Sequence, residues 1–249
     1  MRFQGGTLFP LVVALVLVGG LALITYARAS RPGADVSAPQ PNVDHWHWAY
    51  AFQLCSDEAT IVFAGDKEIR DSSGFIVGDE EFVRTGVHSH DDGVIHWHPY
   101  TVVASGNRAK VGIFYDNYGA DLTNDKLEFT QNNLVYEESG FPVADDFPMV
   151  YEEGVTECDG EEGTLKAVKW TTYNDRDSEQ QYVADFDNIR IDGDGQVIVV
   201  AFVPSDVDVA YPSWAARLPE LGAADSGEVP TSLPPADAAV TVESTEPLD

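Results

Sequence analysis

All six histidines of this 249-residue chain occur in three His-x-His pairs. In a β-strand, residues i and i+2 point to the same face, so each pair places two imidazoles side by side, about 7 Å apart along the strand. Imidazole clusters without thiolates are typical ligands of zinc, copper(II), nickel or iron. The pattern therefore predicts a transition-metal site built from His45, His47, His88, His90, His96 and His98.

The spacing between the second and third pairs determines which imidazoles can meet. If residues 91–93 form a three-residue hairpin loop with Gly93 in the left-handed conformation, His88 lies opposite His96 and the four histidines of the hairpin share one face. A two-residue loop would instead put Trp97 opposite His88 and divide the four histidines between two faces. The glycine position favours the first register.

The four histidines of the hairpin cannot all bind one ion without help. In the favoured register, His90 and His98 lie about 14 Å apart along the strand direction. We therefore expect the ion near His88 and His96. A third and a fourth ligand would come from this set: His98, His45 or His47.

Ligand type and abundance favour zinc over copper at this site. Neighbouring carboxylates are expected to orient the ligands by accepting hydrogen bonds from their second ring nitrogens, the candidates being Asp44, Asp91 and Asp92. Two other interpretations stay open: the histidines cover an exposed strand face above a tryptophan core, or they form a cluster that senses lowered pH. The sequence assigns no catalytic residue, because it contains no GxSxG, P-loop or dinucleotide-binding motif.

The elements that must position these histidines are mainly strands. Runs rich in Val, Ile, Phe, Trp and Thr predict an α+β fold dominated by antiparallel sheet, with one or two short helices. The predicted strands are 59–64, 93–104, 164–173 and 196–204, and apolar spacing predicts a helix at 107–118. Residues 192–195 (DGDG) predict a tight hairpin turn, since they lack the ligand spacing of a calcium loop.

Composition divides the chain into four segments. The uncharged run Leu8–Tyr26 is long enough to cross a bilayer and predicts a single transmembrane or signal-anchor segment at residues 1–28. Residues 29–43 are small, polar and proline-bearing, which predicts a flexible linker, and the acidic residues 219–249 predict a disordered tail. The histidine-bearing domain is then 44–218, anchored in membrane lipid and placed on the extracytoplasmic side; cleavage of the anchor stays open.

Charge and cysteine content restrict the partners and the compartment. The chain has 14 Lys+Arg against 42 Asp+Glu, a formal net charge of -28 that repels phosphate backbones and argues against a nucleic-acid partner. The acidic excess is typical of a well-hydrated surface, with calcium affinity as the alternative. An exported domain with two cysteines is expected to join Cys55 to Cys158, the alternative being two buried thiols.

Four segments resemble a family of exported, membrane-anchored actinobacterial proteins without established function. They are DHWHWAYAFQLC (44–55), GVHSHDDGVIHWHPY (86–100), ECDGEEG (157–163) and DGQVIVVAFVP (194–204), and the similarity spans roughly residues 44–212. Ser89 and Trp97 occupy spacer positions where Thr and Ile are usual, which leaves the ligand spacing intact. The resemblance implies export and a shared histidine site but no reaction.

These observations predict a membrane-anchored extracytoplasmic domain that binds zinc or copper, for capture, sensing or structure. The alternatives are a metal-dependent enzyme with three histidine ligands and an open coordination position, and an interaction module without a metal.

Overall fold

The computed structural model describes residues 8–29, 38–69, 71–73, 77 and 79–226. The chain divides into two units, residues 1–36 and 37–249. The first unit contains helix α1, Leu8–Ala29, whose side chains are described at Pro10 and at residues 12–26. Among the described residues, no helix combines the length and the hydropathy needed to cross a membrane.

The second unit is α+β, with mainly antiparallel sheet and few short helices, as predicted. Its strands are β1 Trp46–Leu54, β2 Ile61–Phe63, β3 Val87–His88, β4 Val94–Trp97, β5 Ala120–Leu122, β6 Lys126–Phe129, β7 Leu134–Tyr136, β8 Val150–Glu152, β9 Glu157–Cys158, β10 Glu161–Trp170, β11 Glu179–Tyr182 and β12 Gln196–Pro204. Its helices are α2 Glu80–Thr85, α3 Val111–Asn117 and α4 Leu218–Ser226. Short 3-10 helices lie at Val102–Ala104, Gly106–Arg108, Arg176–Ser178, Phe186–Asn188 and Ser213–Arg217.

The larger sheet has nine strands, and six of them follow the order β11-β10-β12-β1-β2-β7. Strand β4 also pairs with β1 and with β3, and β9 pairs with β10. The β1–β12 pair is parallel, and the other pairs are antiparallel. One edge of β1 lies along β12, while its other edge is shared by β4 at residues 46–49 and by β2 at Phe52. Strands β5, β6 and β8 form a separate three-stranded sheet.

Strands β1 and β12 form the centre of the core. Residues 48–54 of β1 and 196–203 of β12 are buried. A strand with neighbours on both edges and packing on both faces has no exposed position, so both strands are mainly apolar and do not alternate between apolar and polar residues. The indole Nε1 of Trp48 donates to the Gly193 carbonyl at 2.6 Å. The core therefore holds β1 rigidly from Trp48 onwards, next to its histidines.

A disulfide joins the end of β1 to β9, which confirms the predicted pairing. Cys55 directly follows β1, and its Cα lies 4.9 Å from that of Cys158 across a sequence separation of 103 residues. In the chain-entropy account, a loop of that length restricts the unfolded chain enough to contribute about 5 kcal/mol to stability. The bridge secures the C-terminal end of the strand whose N-terminal end carries the first histidine pair.

Three predicted elements differ from those observed. The strand expected at 93–104 is shortened to β4, and Val102–Ala104 form a 3-10 helix. The helix expected at 107–118 is reduced to α3, because Lys110 is extended and forms a bridge with Arg190. Residues 192–195 do not close a hairpin, since the segment before them pairs with residues 109–111 rather than with β12: Ile191 N–H donates to the Ala109 carbonyl at 3.0 Å, and Val111 N–H donates to the Ile189 carbonyl at 2.9 Å.

The limits of the domain differ from the predicted 44–218. Ala38 and Pro39 are buried, and the Pro39 carbonyl accepts a hydrogen bond from Gly106 N–H at 2.9 Å. At the other end, α4 begins at the buried Leu218 and continues to Ser226, so residues 219–226 are helical rather than part of a disordered tail. Residues 30–37 of the predicted linker and 227–249 of the predicted tail lie outside the described residues.

Candidate metal centre

Three histidines form a row across three adjacent strands. His47 on β1 lies opposite His96 on β4, and His88 on β3 lies opposite the same His96. Directly opposed residues project to one face of a sheet, so the three imidazoles lie side by side. The next residues along β1 and β4, Trp48 and Trp97, point the other way and are buried in the core.

The other histidine of each pair lies to one side of this row or to the other. Continuing the β1–β4 register by one residue places His45 opposite His98, and their ring centroids are 3.5 Å apart. Directly before β3, the residue that faces His98 is Gly86, whose carbonyl accepts the His98 N–H at 3.0 Å. A Cβ at position 86 would lie 1.8 Å from the His98 carbonyl oxygen, so no side chain fits there. The second histidine of this pair, His90, comes two residues after His88 and therefore lies on the other side of the row from His98.

Two histidines on β1 and β4 and the two that directly flank these strands form one group of potential ligands, which we call the four-histidine group. His45, His47, His96 and His98 each offer a ligand atom, and these four atoms lie within 4.8 Å of one another. Four nitrogens at 2.0–2.1 Å from a tetrahedral ion would be about 3.3 Å apart, so small side-chain rotations would bring them to one ion. Buried ring nitrogens of this group include His47 Nε2, His96 Nδ1 and His98 Nε2.

Asp92 orients His96 within this group. One carboxylate oxygen of Asp92, Oδ2, lies 3.1 Å from His96 Nε2, while Oδ1 accepts from Val94 N–H at 3.0 Å. Burial raises the pKa of Asp92, but the hydrogen bond and charge interaction with His96 outweigh that effect, so the pKa lies below its usual value. An ionised carboxylate accepts the Nε2 proton and leaves Nδ1 of His96 as the metal-binding nitrogen.

Glu68, His88 and His90 form a second group, which we call the Glu68 group. Their ligand atoms also lie within 4.8 Å of one another. His88 Nε2 is 3.2 Å from Glu68 Oε2 and 3.1 Å from His90 Nε2, and His90 Nδ1 is 3.0 Å from Asp66 Oδ2. Glu68 and Asp66 belong to the segment that follows β2, so the group unites two parts of the chain about twenty residues apart.

The centre is closed from solvent at its middle. The His88 side chain is 0% exposed and that of His96 is 1% exposed, whereas that of His90 is 27% exposed. Burial is the main cause that lowers the pKa of His88 to about 4; the hydrogen bond with Glu68 opposes this shift, and the neighbouring imidazoles reinforce it. His88 is therefore neutral at pH 7, the form in which an imidazole binds a metal.

Two helices cover the histidine face. Phe82 of α2 packs against the His88 ring with centroids 4.7 Å apart. Gly222 of α4 lies so close to His47 that a Cβ there would be 2.7 Å from the imidazole. A pocket of about 400 Å³ opens beside α4 and is lined by His45, His47, Tyr173, Asp194 and residues of the helix. It gives a small molecule access to the four-histidine group.

The predicted register is confirmed, but the expected grouping of ligands is not. His88 and His96 are cross-strand neighbours with centroids 5.2 Å apart, yet their ligand atoms belong to different groups. Of the predicted orienting carboxylates, Asp92 contacts a histidine ring. By contrast, Asp44 accepts from Gln40 N–H at 2.6 Å, and the Asp91 carboxylate accepts from Gly65 N–H.

Sequence reasoning missed Glu68 and Asp66 entirely. They follow β2 in the stretch Gly65-Asp66-Lys67-Glu68, which has no strand periodicity and no His-x-His spacing. They are two of 42 acidic residues in the chain, so their residue type alone does not single them out. Only the fold of the segment after β2 brings these two to the histidines.

No family model, curated protein or solved structure matches this chain. The resemblance to exported actinobacterial proteins stays a prediction.

Proposed function

We propose that this domain binds a transition-metal ion, zinc in preference to copper, through the four-histidine group. The observation that carries the proposal is the convergence of four imidazole ligand atoms within 4.8 Å, two from opposed positions on the paired strands β1 and β4 and two from the residues that directly flank these strands. Because strand pairing rather than loop conformation sets these positions, the ligands are arranged before the ion arrives. The Asp92–His96 contact at 3.1 Å adds the carboxylate partner that metal-binding histidines commonly have.

We further propose that the domain is anchored to the cell membrane and acts on its extracytoplasmic side. The uncharged run Leu8–Tyr26 supports the anchor. The Cys55–Cys158 disulfide supports an oxidising compartment, where such bonds persist. Protease added to intact cells should then digest the domain, and protection of the domain until the membrane is broken would contradict this topology.

A metal-dependent enzyme is the second candidate function, and the pocket beside α4 favours it. Four imidazoles fill all four positions around a tetrahedral ion. If one imidazole bound the ion only weakly, its position would be open to water or substrate. His45 and His47 line the pocket, so this position would face it. A bound ion that keeps an exchangeable water, detected by displacement with a small anion, would favour an enzyme over a closed capture or structural site.

Metal binding is tested by titrating the full-length chain, purified in detergent micelles, with zinc and separately with copper(II). We expect His47→Ala and His96→Ala to abolish high-affinity binding at the four-histidine group, because each removes one of its ligands. The matched control is Gln180→Ala, which changes an exposed residue of the distant edge strand β11. Equal zinc content in the wild-type chain and both histidine variants would refute the proposal.

A further inference from the structure

From the arrangement beside the four-histidine group, we infer that Glu68, His88 and His90 hold a second metal ion, so that the centre takes two divalent transition-metal ions. The inference extends the proposed function but uses separate ligands. Two imidazoles and one carboxylate form a recognised three-ligand set for zinc that keeps a coordination position for water. The Glu68 side chain is 11% exposed and that of His90 is 27% exposed, so solvent reaches this side of the centre.

The protonation pattern of the Glu68 group favours a cation at its centre. His90 Nδ1 lies 3.0 Å from Asp66 Oδ2, so this nitrogen carries the proton and His90 Nε2 presents a lone pair. His88 Nε2 lies 3.1 Å from that lone pair and 3.2 Å from Glu68 Oε2. The proton on His88 Nε2 thus has two acceptors beside it. When a metal ion takes the place of this proton, the lone pairs of His88 Nε2, His90 Nε2 and Glu68 Oε2 all point at the ion.

This replacement makes the second site weaker than the first. When Nε2 of His88 binds the ion, its proton resides on Nδ1, which is buried and has no hydrogen-bond partner among the described residues. The buried Nδ1–H lowers the affinity of the Glu68 group, because an unpaired donor has lost its hydration. In the four-histidine group, by contrast, the second nitrogen of His96 has Asp92 as its partner.

The two sites are close enough to influence each other. The His96 ring centroid lies 5.2 Å from that of His88 and 4.7 Å from that of His90. Two divalent ions bring four positive charges into this region, and the carboxylates of Glu68, Asp66 and Asp92 offset three of them. Charge repulsion between the ions separates the two binding steps further.

The test is the zinc stoichiometry of the full-length chain in detergent micelles. We expect the wild-type chain to bind two ions in two resolved steps, and Glu68→Gln to bind only the first. Glu138→Gln is the matched control, since it makes the same change at an exposed turn residue and should keep both ions. His45→Ala should weaken the first step and leave the second.

The outcomes separate this inference from the proposed function. One ion in both the wild-type chain and Glu68→Gln would overturn the second site and leave the four-histidine site standing. Two ions in Glu68→Gln would also overturn it, and no ion in any chain would refute both. If Glu68→Gln does not fold, as judged by circular dichroism, Asp66→Asn provides the test: it should weaken the second step 10- to 100-fold and spare the first.

Discussion

Replacing Asp92 with Asn tests whether the carboxylate sets the tautomer of His96. Asp92 Oδ1 caps the hairpin by accepting from Val94 N–H at 3.0 Å, and an Asn carbonyl can accept the same bond. The Asn amide then donates to His96 Nε2, where the carboxylate had accepted. This reversal favours the proton on Nδ1 and removes the lone pair that the four-histidine group needs.

The expected loss follows from the role of such carboxylates at metal sites. Removing the hydrogen-bond partner of a ligating histidine lowers metal affinity by about 10- to 100-fold, which corresponds to about 1.4–2.7 kcal/mol. We expect Asp92→Asn to lose this much zinc affinity in a competition titration against a chromophoric chelator at pH 7. The fold should persist, because the hairpin cap is retained.

Asp91→Asn is the matched control for this prediction. Asp91 is the adjacent residue of the same loop, it adopts a positive φ of 62° that Asn tolerates, and its carboxylate accepts from Gly65 N–H. Equal zinc affinities for Asp92→Asn and the wild-type chain would refute the tautomer argument. So would an equal loss in both variants, since a general effect of negative charge would then explain the data.

Three further predictions concern stability. Replacing Cys55 and Cys158 together with Ser should lower the free energy of unfolding by about 5 kcal/mol in a denaturant titration, because the unfolded chain loses its cross-link; no change would contradict it. In chelator-treated protein, lowering the pH from 6.5 to 4 should remove about 3 kcal/mol of stability through His88, because its pKa falls from 6.5 to about 4 on folding and the unfolded chain binds the proton first; a His88→Gln variant whose thermal unfolding changes with pH as much as that of the wild-type chain would refute it. Gly86→Ala should destabilise by more than 2 kcal/mol, since its Cβ meets the His98 carbonyl, whereas Gly106→Ala, with φ of 57° and nothing within 4 Å, should cost about 1 kcal/mol; equal losses would mean that the close approach is not what constrains residue 86.

The histidine pairs and the hairpin could be predicted from the sequence because both depend on local rules. A period of two residues places each His-x-His pair on one face of a strand, whatever the rest of the fold does. Gly93 has a φ of 68°, which suits the loop that sets His88 opposite His96. The disulfide could likewise be predicted, since two cysteines have one intramolecular pairing.

The tertiary structure alone decided how the six histidines divide between the four-histidine group and the Glu68 group. Pairing of β1 with β4 aligns His45 and His47 with His98 and His96. By contrast, Gly86 caps α2 and occupies the position opposite His98, so the histidine pair that begins on β3 is displaced by two residues. Residues 65–69 then bring Glu68 to the displaced pair, and α4, expected to be disordered, packs its Gly222 onto His47. Contacts between residues far apart in the chain depend on the whole packed core rather than on local spacing, and for that reason the composition and period of these segments did not reveal them.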